Sequence, residues 1–248
     1  MRTIEPRCEP VQSLTAFFED TREQDLGGPD FRNETARTIR VDVDGCVWLK
    51  PGAAIGYRGD IAFERLPTVR AESAMDAVLR ETAPLVRAVG KGRLYCGCHG
   101  AHLRTVQLTG ESIVVSWQDL VAFQQSLTFE SRLLGHGVGV AAGGLVVVKL
   151  SGHGSFAMAT HGRPISLEVS PGQPVTTDPH ATIAWSGDLT PTLKLDVTWR
   201  SAFGHGGHEP VQMLFDGAGF VVVQPYEDPS RFGLGPNPLR RVASLLAG

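Results

Sequence analysis

The chain has 248 residues and 26.6 kDa, long enough to bury a full hydrophobic core and too long for a disulfide-stapled miniprotein. Its 42% hydrophobic and 20% charged residues, with a mean hydropathy near zero, exclude the disordered and collagen-like classes. A formal charge of −3 gives no long-range pull on nucleic acid or anionic lipid, and no run reaches the roughly 18 apolar residues of a membrane span.

The start, Met1-Arg2-Thr3-Ile4-Glu5-Pro6, has no apolar stretch, and early acids such as Glu5, Glu9 and Glu19 argue against an organellar leader. Four scattered cysteines (Cys8, Cys46, Cys96, Cys98) make no disulfide framework, so the expected setting is cytoplasmic with reduced thiols. Residues 1–37 form an N-terminal extension holding one amphipathic helix: Val11, Leu14 and Phe18 recur at helical spacing, and Leu26-Gly27-Gly28-Pro29 stops it. From Thr38 the period changes to two, with Ile39, Val41 and Val43 alternating with Arg40, Asp42 and Asp44. Pro51-Gly52 and Arg58-Gly59-Asp60 carry turn chemistry. A helix is predicted over 72–83, with Met75, Val78, Leu79 and Thr82 on one face and Pro84 ending it. From Leu94 to Tyr226 the pattern is one of short strands broken by Gly, Pro and Asp, which predicts an all-β sandwich or barrel. Residues 229–248 are a C-terminal tail whose Leu239–Leu246 stretch reads as a short basic helix.

An internal repeat organises the β-rich part. Shifting the chain by 62 residues sets 90–128 against 152–190 with eight identities, among them Gly90 with Gly152, His99 with His161, Gly110 with Gly172 and Leu127 with Leu189. Chance at this composition gives roughly two or three. The Gly-x-Gly strand start returns as Gly217-Ala218-Gly219, and a turn before the central strand is expected at Pro51-Gly52, Thr109-Gly110 and Pro171-Gly172. The body, 38–228, therefore divides into three tandem units at about 38–90, 91–152 and 153–228. A period-two strand shows one apolar face, so a unit buries only half its surface alone, and stacking units or chains buries the rest. An oligomer follows as an expectation.

Three segments, Gly143-Gly144-Leu145-Val146-Val147-Val148-Lys149, Ala181-Thr182-Ile183-Ala184-Trp185-Ser186 and Phe215-Asp216-Gly217-Ala218-Gly219-Phe220-Val221, resemble the bacterial branch of the Altered Inheritance of Mitochondria protein 24 family. The resemblance covers roughly Thr38 to Glu227 and is strongest in the second half. It implies a fold similar to the tryptophan RNA-binding attenuation protein, with three β-sandwich units of the double-stranded β-helix type per chain. It also implies homotrimers closing into a ring, and a link to membrane organisation. The family motif has no catalytic residues to carry over, and similarity of fold to an RNA-binding ring transfers no function.

Cys96-x-Cys98-His99-x-x-His102 is the strongest metal-ligand candidate, because thiolates and imidazoles hold zinc and the two cysteines would share a strand face. The 62-residue shift sets Met158, Thr160 and Pro164 opposite Cys96, Cys98 and His102, which favours a strand and turn over a ligand set. His205-Gly206-Gly207-His208-Glu209 reads as a loop for want of a His-x-His strand pattern. Gly135-His136-Gly137 and Gly152-His153-Gly154 precede strands, whereas a phosphate-binding glycine loop precedes a helix. Trp48, Trp117, Trp185 and Trp199 lack the clustered basic residues of a base-stacking surface and are assigned to core or subunit contacts. The sequence thus predicts a non-enzymatic β-ring scaffold or binding platform, a homotrimer with no cofactor and no catalytic set, and with peripheral membrane contact open through the tail. The alternative is a metal-binding or cupin-like enzyme using Cys96, Cys98 and the nearby histidines.

Overall fold

Alternation of apolar and polar residues builds almost every element. A computed structural model describes residues 11–24, 30–65, 83–134, 145–195 and 211–225. One helix precedes the sheets: α1 (Leu14–Thr21), whose N-cap Ser13 Oγ accepts from Ala16 N at 3.2 Å. The strands that follow are β1 (Phe31–Thr35), β2 (Thr38–Leu49), β3 (Ala54–Arg65), β4 (Val86–Cys96), β5 (His102–Ser116), β6 (Leu120–Gln124) and β7 (Thr128–Leu134). They continue with β8 (Leu145–Thr160), β9 (Ile165–Val169), β10 (Val175–Thr177), β11 (Thr182–Ser186), β12 (Thr192–Leu195), β13 (Val211–Phe215) and β14 (Gly219–Val223). The protein is predominantly β, as its composition and period require. β1 falls within the stretch that the sequence assigns to an extension. The predicted helix at 72–83 lies, except for buried Ala83, outside the described residues, as do His205–Glu209, Trp199 and the tail 229–248.

All described pairings are antiparallel. One 11-stranded sheet runs β3-β4-β2-β6-β8-β5-β11-β14-β9, with β1 added to β2 and β7 to β8. A second, three-stranded sheet runs β10-β13-β12. β2 shows the consequence of alternation most simply: Ile39, Val41 and Val43 are buried on one face, and Asp42 and Asp44 stand on the other. Three apolar clusters result. The first gathers Ile39, Val41, Leu49 and Leu94; the second Phe123, Leu150, Phe156 and Ile183; the third Trp185, Met213, Phe215 and Val221. Each fully buried large side chain contributes on the order of 1.5–3 kcal/mol.

The strands are not uniformly short, as the punctuation of the sequence suggested. β5 and β8 run for 15 and 16 residues, and glycines within them turn the backbone without ending the ladder. Gly110, at φ 121°, sits inside β5 next to a register shift between Thr109 and Ser112 that gives β5 one extra residue. Gly45, at φ 106°, sits inside β2 in the same way, whereas Pro51-Gly52 makes the corner between β2 and β3. The turn matching Thr109-Gly110 is therefore at Gly45 and not at Pro51-Gly52. The extra β5 residue displaces the alignment beyond it, which a gap-free comparison cannot see.

Candidate functional site

Cys96 closes β4, faces Ile39 of β2 and Ala54 of β3 in register, and is wholly buried in the first apolar cluster. Burial pushes its thiol up to about 12, so it stays neutral and unreactive. Cys98 is half-buried against the same cluster. Burial also raises its thiol; Asp119 raises it further and the Lys50 ammonium pulls it back. His99 makes the turn that follows, at φ 45°, closed by Ala101 N donating to Cys98 O at 2.8 Å. His102 opens β5 opposite Thr160, whose Oγ1 donates to the His102 carbonyl at 3.4 Å. The four candidates are thus successive along a strand end, a turn and a strand start. Among the described residues no three His, Cys, Asp or Glu side chains gather closely enough to hold a metal ion.

The outer face of β3, β4 and β2 carries charge instead. Arg87 donates to Cys46 Sγ at 3.4 Å, lies 5.7 Å over the Trp48 ring and pairs with Glu64 at 3.4 Å. The Cys46 contact is the largest influence holding the Arg87 guanidinium above its ordinary value. Trp48 in turn stacks on Phe123 (6.2 Å) and meets the edge of Phe129 (5.2 Å). Trp117 and Trp185 are buried, and Lys50 Nζ stands 5.8 Å over the Trp117 ring. At the other end of this face, Glu23 pairs with Arg58 at 2.8 Å and Arg93 at 3.6 Å and accepts the Tyr95 hydroxyl. The Gln24 carbonyl accepts from buried Arg40 Nη1 at 3.1 Å. Residues 23 and 24 therefore strap α1 to the sheet, while Leu14, Phe17 and Phe18 of α1 stay exposed.

The open sheet edges carry what the site can do chemically. Two strand pairings cross from one part of the chain to the next. Trp48 of β2 faces Phe123 of β6, and Val114 of β5 faces Trp185 of β11. Behind these pairings Val121 and Phe123 are 0% exposed, and Ile183 and Trp185 are 0% and 1% exposed. On β3 the alternating pair Ile55 and Tyr57 is instead 61% and 56% exposed. Among the described residues β3 pairs only with β4, and β10 only with β13, so each has a free row of backbone donors and acceptors. Such an edge binds another strand through main-chain hydrogen bonds, with Tyr57 and Ile55 as apolar anchors. Sequence reasoning paired Phe123 with Trp185 but did not extend the match to Tyr57, the third aromatic at that strand position.

A family model described as Mitochondrial biogenesis AIM24 matches residues 30–226. The X-ray crystal structure of a Streptococcus pyogenes protein has a similar fold, with a TM-score of 0.62 and 16% sequence identity over 88% of this chain and 96% of that one. No curated protein sequence matches the chain significantly. At this identity the likeness to the streptococcal structure concerns the fold alone.

Proposed function

Because this chain belongs to the Mitochondrial biogenesis AIM24 family, we propose that it is a non-enzymatic β scaffold of three tandem units, three copies of which close into a ring that serves as a binding platform. The units, about 38–90, 91–152 and 153–228, are of the type found in the tryptophan RNA-binding attenuation protein. The recurrence of one local geometry carries this reading. A register shift falls between Ala54 and Gly56, between Leu120 and Ala122, and between Thr182 and Ala184. These places are offset by 66 and then 62 residues. The same offsets relate three main-chain bonds: Gly97 N to Ala53 O (2.9 Å), Ala159 N to Asp119 O (2.7 Å) and Gln224 N to Ala181 O (2.9 Å). In two of the units a polar side chain accepts from the partner strand, Gln124 Oε1 from Ser155 N at 2.6 Å and Ser186 Oγ from Phe220 N at 2.7 Å. Bulges that recur at matched places are design features of a fold and not accidents of one strand.

A unit built this way has an acceptor edge and a donor edge, so a chain of three units ends with one of each. That arrangement is heterologous, and it closes into a ring when the rotation per copy divides a full turn. The test is the mass of the purified chain by light scattering, expected at three times the 26.6 kDa of one copy. A monomer at tens of micromolar overturns the ring. Stoichiometric zinc or iron that is lost in a Cys96→Ala/Cys98→Ala variant overturns the non-enzymatic part.

A further inference from the structure

We propose that the seam between copies is β10 of one copy laid antiparallel on β3 of the next, in the register Val175 to Arg58, Thr176 to Tyr57 and Thr177 to Gly56. This rests on the ring of tandem units proposed above and assigns its interface.

The register comes from the two junctions already present inside the chain. In the first, Val47, Trp48 and Leu49 of β2 face Gln124, Phe123 and Ala122 of β6. In the second, Ile113, Val114 and Val115 of β5 face Ser186, Trp185 and Ala184 of β11. One main-chain bond extends each ladder, Lys50 N to Val121 O at 2.9 Å and Gly187 N to Ser112 O at 2.8 Å. The strand that gives its edge is β2 in the first junction and β5 in the second, and β10 is the third of this kind. Its other side pairs Val175 with Phe215, as β5 pairs Ile113 with Leu150 and β2 pairs Val47 with Ala88. The strand that receives is β6 and then β11, and β3 is the remaining one. It pairs Tyr57 with Leu94 as β6 pairs Phe123 with Phe156 and β11 pairs Trp185 with Val221. Within one chain β10 and β3 belong to different sheets and are not paired, so the third junction needs a second copy.

The side chains at the receiving positions agree with this assignment. An aromatic occupies the centre in all three cases: Tyr57, Phe123 and Trp185. The next position is small each time (Gly56, Ala122, Ala184), and the one before is polar (Arg58, Gln124, Ser186). Exposure differs only where the partner strand is missing. Ile55 and Tyr57 stand in solvent, whereas their counterparts Val121, Phe123, Ile183 and Trp185 are covered. A second copy supplies that cover, and its main-chain groups satisfy the free edge of β3 at the same time.

Cross-linking tests the register directly. Facing residues of an antiparallel pair have Cα atoms about 5.5 Å apart at most, within reach of a disulfide. Under mild oxidation a Tyr57→Cys/Thr176→Cys variant is expected to give covalent trimers on non-reducing gels. The two single variants give none alone, which controls for the native thiols, and give covalent dimers when mixed. A Tyr57→Glu variant is expected to raise the concentration at which the assembly dissociates by at least about tenfold while its far-ultraviolet circular dichroism stays that of a β protein. If the wild type has the mass of three copies but the double variant yields no intermolecular bridge, or only a bridge within one chain, the seam is wrong and the ring stands. If the wild type has any other mass, the ring itself fails and the seam with it.

Discussion

An added Cβ at Gly90 would lie 2.0 Å from the carbonyl oxygen of Asp60, in the neighbouring strand, and Gly90 sits at φ 134°. Backbone cannot move aside as a side chain can, so Gly90→Ala must part β3 from β4. Gly52, at φ 82° with nothing within 4 Å, offers the contrast, since alanine there meets only the conformational cost of about 1 kcal/mol. We expect Gly90→Ala to lower the unfolding free energy by more than about 2 kcal/mol and Gly52→Ala by about half that or less, as read from urea midpoints. The buried thiols make a second prediction. Cys96 has a folded value of about 12 against an ordinary 9.0, so the native state keeps a proton that the unfolded chain gives up. Stability is then intact below about pH 9 and falls as pH rises from 9 toward 12. A Cys96→Ala variant starts less stable and declines less steeply over that window, which urea titrations at pH 8, 9.5 and 11 will show. The sequence already sorted these cysteines correctly as strand residues, because the shifted partners of Cys96 and Cys98 are Met158 and Thr160, neither a ligand of the same kind. It could not tell that one is sealed in and the other only half covered, because that depends on which strands lie across them.

Among the elements, α1 and β10 divide what the sequence disclosed from what it hid. The helical spacing of Leu14 and Phe18 located α1, but no apolar contact holds it, and none of its residues is buried. Its anchor is Glu23, one turn beyond the helix and outside the periodic pattern, reaching Arg58 and Arg93 on two strands more than 30 residues away. Periodicity registers burial and is blind to a single carboxylate at long range. Arg58 is largely exposed, so the strap is weakly held against solvent screening. Glu23→Gln is therefore expected to cost under about 1 kcal/mol in global stability, yet to speed hydrogen exchange at the amides of 17–21 several-fold while leaving β2 and β4 unchanged. β10 went unnoticed for the opposite reason. Three residues, Val175–Thr177, are too few to show a period, and only the pairing with β13 defines them as a strand.

On the scale of the whole molecule, the β class and the approximate positions of the strands follow from alternation and from the glycine punctuation, both local properties. The order of the strands does not follow, because β6 lies between β2 and β8 through contacts between residues far apart in the chain. Assembly introduces one further dependence. Binding that involves only folded copies stabilises them by mass action, so the thermal midpoint should climb with protein concentration. Calorimetric scans across a hundredfold range of concentration check this. A midpoint that does not move, or a Tyr57→Glu variant that matches the wild type at every concentration, would count against association through β3.

β8 has a position that sets the order of events when the chain is made. Along its 16 residues it pairs with β5 on one side and with β6 and β7 on the other, so three earlier strands share this single later one. A nascent chain whose translation has reached only residue 140 holds β5, β6 and β7 with no strand to join them. Their Phe123, Val115 and Leu120 side chains then face the solvent or a chaperone until about 20 more codons are translated. A pause in synthesis just before Leu145 should for that reason raise the share of chains lost to aggregation, whereas a pause after Thr160 should not.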